Sequence, residues 1–161
     1  MTLVLHRIDD RLIHGQVVVG WGQPLDIGFI VLVDDAIAAN EWEAELYRMG
    51  VPDEMEVFFH DTASALAELD AYRADERAGI LLTGEIGTMQ QLVDFGGIRT
   101  VNLGGIHHKP GRTQRMRYVF LTEPEADALR AMAAGGVVIT AQDVPTARAI
   151  PLPDVLSGAT L

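Results

Sequence analysis

Ten residues near the start of the chain, Arg7–Gln16, read R-I-D-D-R-L-I-H-G-Q and gather two carboxylates, two guanidinium groups and one imidazole. They sit between two apolar runs, Leu3-Val4-Leu5 and Val17-Val18-Val19, so packing alone does not account for them. The imidazole has the chemistry to offer. An ordinary histidine titrates near about 6.5, so at neutral pH one ring nitrogen can attack an electrophile. If His14 accepted a phosphoryl group it would carry an anion, and the nearby Arg11 could close a two-pronged hydrogen bond on it. Gly15 lacks a Cβ and lets a phosphate approach the backbone closely. Amides at a helix start would add about 0.3–1 kcal/mol of stabilisation. Asp9 or Asp10 could hold Arg11 or cap that helix.

These groups need elements to position them. The pattern predicts a strand ending near Ile8, a charged bend, and a helix from Gly15 to Gln23 that Pro24 stops. Trp21 on that helix reads as a packing residue. Phe29–Val33 is a continuous apolar run, the mark of a buried parallel strand. It ends in Asp34-Asp35, which reads as a helix cap and a surface acid; paired acids at a strand end could also hold magnesium. Asn40 caps a helix over Glu41–Met49, with Gly50 as its stop and Trp42, Leu46 and Met49 at core-facing spacing. Glu56–Phe59 is the third strand. His60-Asp61-Thr62 leads into an alanine-rich helix to Tyr72, and His60 is the second candidate histidine, with a plain loop residue as the simpler reading.

Gly79–Thr83, Thr88–Phe95 and Arg99–Leu103 read as strand, helix and strand. A glycine-rich, basic loop follows, Gly104 to Arg112, holding Gly105, His107 and His108. Its amides and cations could serve a phosphoryl group. Its two adjacent histidines lack the further ligands that a metal site would need, so no metal is expected. Arg112, Arg115 and Arg117 concentrate positive charge, either as a solvated face or as a docking surface. Met116–Leu121 reads as a sixth strand. Thr122, Pro124 and Glu125 mark the start of a helix to about Ala134, stopped by Gly135-Gly136. Val137–Ala141 is the last strand, and Pro145, Pro151 and Pro153 punctuate an irregular tail.

Strands alternating with helices predict an open, mostly parallel α/β sheet with helices on both faces. Sites in such sheets form beyond the carboxyl ends of strands. Arg7–Gly15, His60 and Gly104–Arg112 all follow strands and can share one edge. With 161 residues and no repeat or linker, the chain reads as a single domain. It has no cysteine, which excludes thiolate chemistry and fits a reducing compartment. No apolar run reaches membrane-spanning length, and the start lacks a secretory pattern, so a cytoplasmic location is expected. A net charge of −11 argues against nucleic-acid binding. It also means that a phosphoryl group needs a local positive pocket.

The stretch R-I-D-D-R-L-I-H-G-Q-V resembles the start of the IIB subunits of the mannose/fructose/sorbose family of the bacterial phosphoenolpyruvate-dependent sugar phosphotransferase system. The resemblance continues through Val33-Asp34-Asp35, Asn102-Leu103-Gly104-Gly105-Ile106-His107 and Gly136–Pro145. It implies a seven-stranded sheet whose last strand runs antiparallel. It also implies that His14 is phosphorylated on Nδ1 by a phosphohistidine of a IIA partner, on this chain's complex or a separate chain. The group then passes to a sugar entering through membrane IIC and IID subunits, with which the chain would associate peripherally. Arg11 matches the arginine that stabilises the group. Asp9 and Gln16 match other active-loop positions, and the loop at Gly104, Gly105 and His107 lies beside the phosphohistidine. No cofactor and no metal are implied, and a homo-oligomer is left open. His14 should be exposed in a shallow site, without a large sugar cavity. Two other functions compete. One is a regulatory phosphohistidine module of the same fold without a transporter. The other is a nucleotide- or metal-dependent enzyme built on Asp34-Asp35, which lacks both glycine-rich phosphate-loop motifs.

Overall fold

The computed structural model describes residues 2–161. In chain order its elements are β1 (Leu3–Ile8), a π-helical segment (Gln16–Trp21), β2 (Ile27–Val33), α1 (Asp35–Ala38), α2 (Glu41–Met49), β3 (Glu56–His60), α3 (Thr62–Ala74), β4 (Ala78–Thr83), α4 (Ile86–Gly96), β5 (Thr100–Leu103), β6 (Thr113–Met116), β7 (Val119–Leu121), α5 (Glu123–Ala134), β8 (Val138–Ala141), β9 (Ile150–Pro151) and α6 (Leu152–Ser157).

Seven strands form one sheet in the order β3-β2-β4-β1-β5-β8-β9. All neighbours pair in parallel except β8 and β9, which are antiparallel. β1 therefore has a strand on each side, and its carboxyl end opens at the middle of the sheet. The strand pleat divides β2 between two cores. Phe29, Val31 and Val33 pack toward α3, α4 and α5, whereas Ile30 and Leu32 pack toward Val17, Val18, Trp21 and Ala44. Burial on both faces is why this strand reads as an unbroken apolar run.

Caps written in the sequence form as expected. Asp34 accepts from the Ile37 amide at 2.9 Å and Asn40 from the Glu43 amide at 3.1 Å. Thr122 and Glu125 complete a reciprocal capping box. Asp35 is spent on Thr62, accepting from its amide at 3.0 Å. Among the described residues no group of three or more His, Asp or Glu could hold a metal.

Four expectations need correction. The segment after His14 is π-helical over Gln16–Trp21, with the Gly22 amide reaching back five residues to Val17. Met116–Leu121 is not one strand; β6 and β7 form an antiparallel hairpin outside the main sheet. The tail is ordered: β9 supplies the antiparallel edge strand and α6 buries Leu152 and Val155. Finally, α2 is turned the other way. It packs through Ala44 and Tyr47, leaving Trp42, Leu46 and Met49 exposed. Residues 44, 47 and 51 form a second apolar stripe, and the small Ala44 lets that side approach the sheet closely.

Candidate active site

Arg7, near the end of β1, is fully buried, as is Asp9 just beyond it. A buried guanidinium must spend its N–H groups, and this one spends the four on Nη1 and Nη2, leaving Nε without a partner among the described residues. Nη1 donates to the Asn102 side-chain oxygen and to the Gln142 carbonyl at 2.8 Å. Nη2 donates to Asp9 Oδ2 at 3.2 Å, to Gln16 Oε1 at 3.0 Å and to the Asp143 carbonyl at 3.3 Å. The Trp21 ring lies 5.1 Å from the guanidinium carbon, and its indole N–H donates to the same Asp143 carbonyl at 2.8 Å. Burial pulls the Arg7 pKa down from the ordinary arginine value, with Asp9 opposing it.

Arg11 lies above this pair and is 41% exposed at its side chain. Its backbone amide and Nε both donate to Asp9 Oδ1, at 3.2 and 3.3 Å. Its Nη2 donates to Gln16 Oε1 at 2.8 Å. Asp9 and Gln16 therefore clamp both arginines. Two guanidinium groups share one carboxylate, which leaves this corner of an acidic chain locally positive.

His14 reaches the same carboxylate, with Nε2 3.7 Å from Asp9 Oδ2. Nδ1 lies 2.8 Å from the Leu12 carbonyl; a carbonyl only accepts, so Nδ1 carries the proton in this contact. Leu12 aims that carbonyl by adopting a left-handed backbone, φ 62°, at a cost of about 1–2 kcal/mol for a non-glycine residue. The ring is only 19% exposed at its side chain, less than a docking histidine was expected to be. Nε2 is itself covered and lacks a hydrogen-bond partner among the described residues. Beside it, the place a Gly15 Cβ would occupy is open space.

The loop after β5 forms the floor. The Gly104 amide donates to the Ile8 carbonyl at 2.7 Å, and the Asp10 amide donates to the Gly105 carbonyl at 2.9 Å. A Cβ on Gly104 would collide with the Arg7 guanidinium and the Asp9 carboxylate; one on Gly105 would press on His107 and Arg11. Gly104 is thus required by close approach, whereas at Gly105 the His107 and Arg11 side-chain ends would have to shift. Asp10 joins the two loops, accepting from the His107 amide at 2.7 Å and from its Nδ1 at 2.5 Å.

Several expected roles change. Asp10 pairs with His107, not Arg11, and neither Asp9 nor Asp10 caps the helix, whose entry at Gly15 has no side-chain cap. The loop amides of Gly104, Ile106 and His107 are already donated within the fold, so they are not a ready cradle for an anion. Arg112 forks onto Glu125 at 2.9 and 2.8 Å, and Arg115 bonds the Leu156 carbonyl and Glu123. His60 is not part of the site. It ends the edge strand β3, three strands from β1 or about 14 Å at sheet spacing, and its Nε2 meets the Tyr72 hydroxyl at 2.5 Å. Sequence reasoning placed Arg7 in the charged stretch but gave it no individual role, and it gave the Gln142-Asp143 carbonyls no part. The signal for Arg7 was an arginine just before the end of a largely apolar strand.

Comparison with known proteins places the chain in a family. Residues 3–161 match the model of the sorbose subfamily of phosphotransferase-system IIB components. The chain is 30% identical to the mannose-specific EIIAB component of Escherichia coli K12 over 98% of its own length, and spans 49% of that relative. It is 30% identical to the N-acetylgalactosamine-specific enzyme IIB component 1 of the same organism, covering 95% of this chain and 98% of that one. The solved structure of manxB from Thermoanaerobacter tengcongensis superposes with a TM-score of 0.85 at 32% identity, covering 96% of this chain and 94% of that one. The IIB domain of the sorbose permease from Klebsiella pneumoniae gives 0.88 at 26% identity, over 100% and 99% of the two chains. Among the described residues no helix is long and apolar enough to cross a membrane. The chain belongs to the sorbose subfamily of phosphotransferase-system IIB components.

Proposed function

We propose that this chain is a cytoplasmic phosphoryl carrier working as one domain, with His14 as the acceptor. The observation that carries the reading is the convergence of His14, Arg11 and the buried Arg7 on the single carboxylate of Asp9 at the carboxyl end of β1. A carrier needs a nucleophile that ionises reversibly, a fixed cation for the transferred group, and access for a second protein. The ring at the rim, the partly exposed Arg11 and the open space over Gly15 meet those needs.

In the first step a ring nitrogen of His14 attacks the phosphorus of a phosphohistidine on a IIA partner. The donor N–P bond breaks as the new one forms, and the donor imidazole keeps the electron pair. In the second step a sugar hydroxyl, presented by the membrane IIC and IID subunits, attacks the same phosphorus. Its proton leaves to the imidazole that is released. Catalysis is positioning and charge stabilisation, with Arg11 pairing the equatorial oxygens. Asp9 and Gln16 hold Arg11 in place, while Asp10 and His107 hold the adjoining loop. Attack through Nδ1, the atom the family resemblance implies, requires the ring to leave the Leu12 carbonyl and the Nδ1 proton to pass to Nε2, the nitrogen that faces Asp9.

The test is acid-labile phosphate incorporation from phosphoenolpyruvate, the general phosphotransfer proteins and a IIA donor. Wild type is expected to label and His14→Ala to take up none. Equal labelling of the two would remove His14 from the mechanism.

A further inference from the structure

Three large apolar side chains on α2 are exposed. Trp42, Leu46 and Met49 are 76%, 53% and 75% exposed. At 100° per residue they fall on one stripe, on the far side of the helix from the buried Ala44. Scattered surface hydrophobes need no explanation, but a contiguous set on one helix marks a binding face. Of the three, only Trp42 lines a groove, of about 680 Å³, which opens on the side of the helix that carries Ala44 and Arg48; a second groove, of about 450 Å³, adjoins it at Arg48. Phe59 lines the first and Met55 and Phe58 the second.

Charge selects the occupant. Glu41 and Glu45 border the first groove, Asp53 and Glu56 the second. The one shared cation, Arg48, is paired with Glu45 at 3.3 Å and stacked over Phe59 at 4.9 Å. Arg77 pairs with Glu56 at 3.0 Å, so Glu41 and Asp53 are the rim acids without a cation among the described residues. The face is thus an apolar strip inside an acidic rim, on a chain of net charge −11. A second copy would bring two acidic rims together, and an anionic lipid surface would be repelled likewise. A partner segment with apolar anchors flanked by Lys and Arg satisfies both features.

We propose that the outer face of α2, with its two grooves, docks a basic amphipathic helix of a partner protein. This holds whatever the role of His14. The probe is a synthetic Leu/Lys peptide patterned as an amphipathic helix, titrated calorimetrically into the full chain. Its Leu/Glu counterpart and phosphatidylglycerol vesicles are titrated alongside. The Leu/Lys peptide is expected to bind, with affinity falling as salt rises. The double variant Trp42→Ala/Leu46→Ala is expected to weaken it by about tenfold or more, and Glu45→Lys to weaken it separately. Three results would overturn the proposal. One is equal affinity of wild type and the double variant, which would reduce the effect to bulk charge. Another is binding of the Leu/Glu peptide or the vesicles at least as tight as that of the Leu/Lys peptide. The third is a dimer in sedimentation that Leu46→Ala dissolves. Because all the substituted side chains are exposed, an unchanged melting transition verifies that the variants fold.

Discussion

At the carboxyl end of β1 the chain buries Arg7 and Asp9 completely; along α2 it leaves Trp42, Leu46 and Met49 in water. The two regions invert the usual sorting of side chains in opposite directions. The charged corner is internally satisfied: carboxylate, amide and carbonyl oxygens take up four of the five Arg7 N–H groups, and only Nε lacks a partner. The apolar stripe has no such partners within the chain. Polar burial with partners therefore reads as a built scaffold, and apolar exposure without partners as a face waiting for another molecule.

Four variants test that contrast. Arg7→Ala removes the cation from a buried pair and leaves Asp9 uncompensated; a loss of about 3–5 kcal/mol in urea unfolding is expected. A loss below about 1 kcal/mol would show that water or Arg11 replaces it. Gly104→Ala drives a methyl into the same pair and should cost about 1–3 kcal/mol, since neither neighbour is a loose chain end. A neutral result would mean that the loop yields.

His6, the residue before Arg7 on β1, offers a pH-dependent control. It is buried, and burial lowers its pKa below the ordinary 6.5, with the Arg73 charge adding to that and the hydrogen bond to Thr100 opposing it. The unfolded chain then binds the extra proton first. His6 thus contributes a penalty that is absent above about pH 6.5 and grows as pH falls toward the folded-state value, by at most about 1.4 kcal/mol per pH unit. Unfolding measured from pH 7.5 to 5.5 should accordingly show a shallower decline in His6→Asn than in wild type. Parallel curves would mean that His6 is not held neutral. The smallest effect is expected on α2, where Trp42→Ser/Met49→Ser should change stability by no more than about 0.5 kcal/mol. A large loss would mean that the stripe supports the fold.

Much of this was legible from residues alone. Local signals carried their own physics: the Phe29–Val33 run, the caps at Asp34 and Asn40, and the helix start at Thr122 all formed as read. The charged stretch also named His14, Arg11, Asp9 and Gln16, which the fold brings together. What escaped depended on distant contacts. Helical spacing gave α2 an apolar stripe but could not say which of two stripes faced the sheet. β9 is two residues long and exists only because β8 lies beside it. Arg7 stood in plain view, yet its burial depends on Asn102, Gln142 and Asp143, all more than ninety residues away in sequence.

The left-handed turn at Leu12 has one more implication. With its carbonyl gripping one nitrogen of the His14 ring and Asp9 facing the other, the idle imidazole shows bulk water no reactive lone pair. On the proposal that His14 accepts a phosphoryl group, that arrangement acts as a safety catch: stray phosphorylated metabolites would meet a sheathed nucleophile, and only a protein that docks firmly enough to turn the ring would arm it.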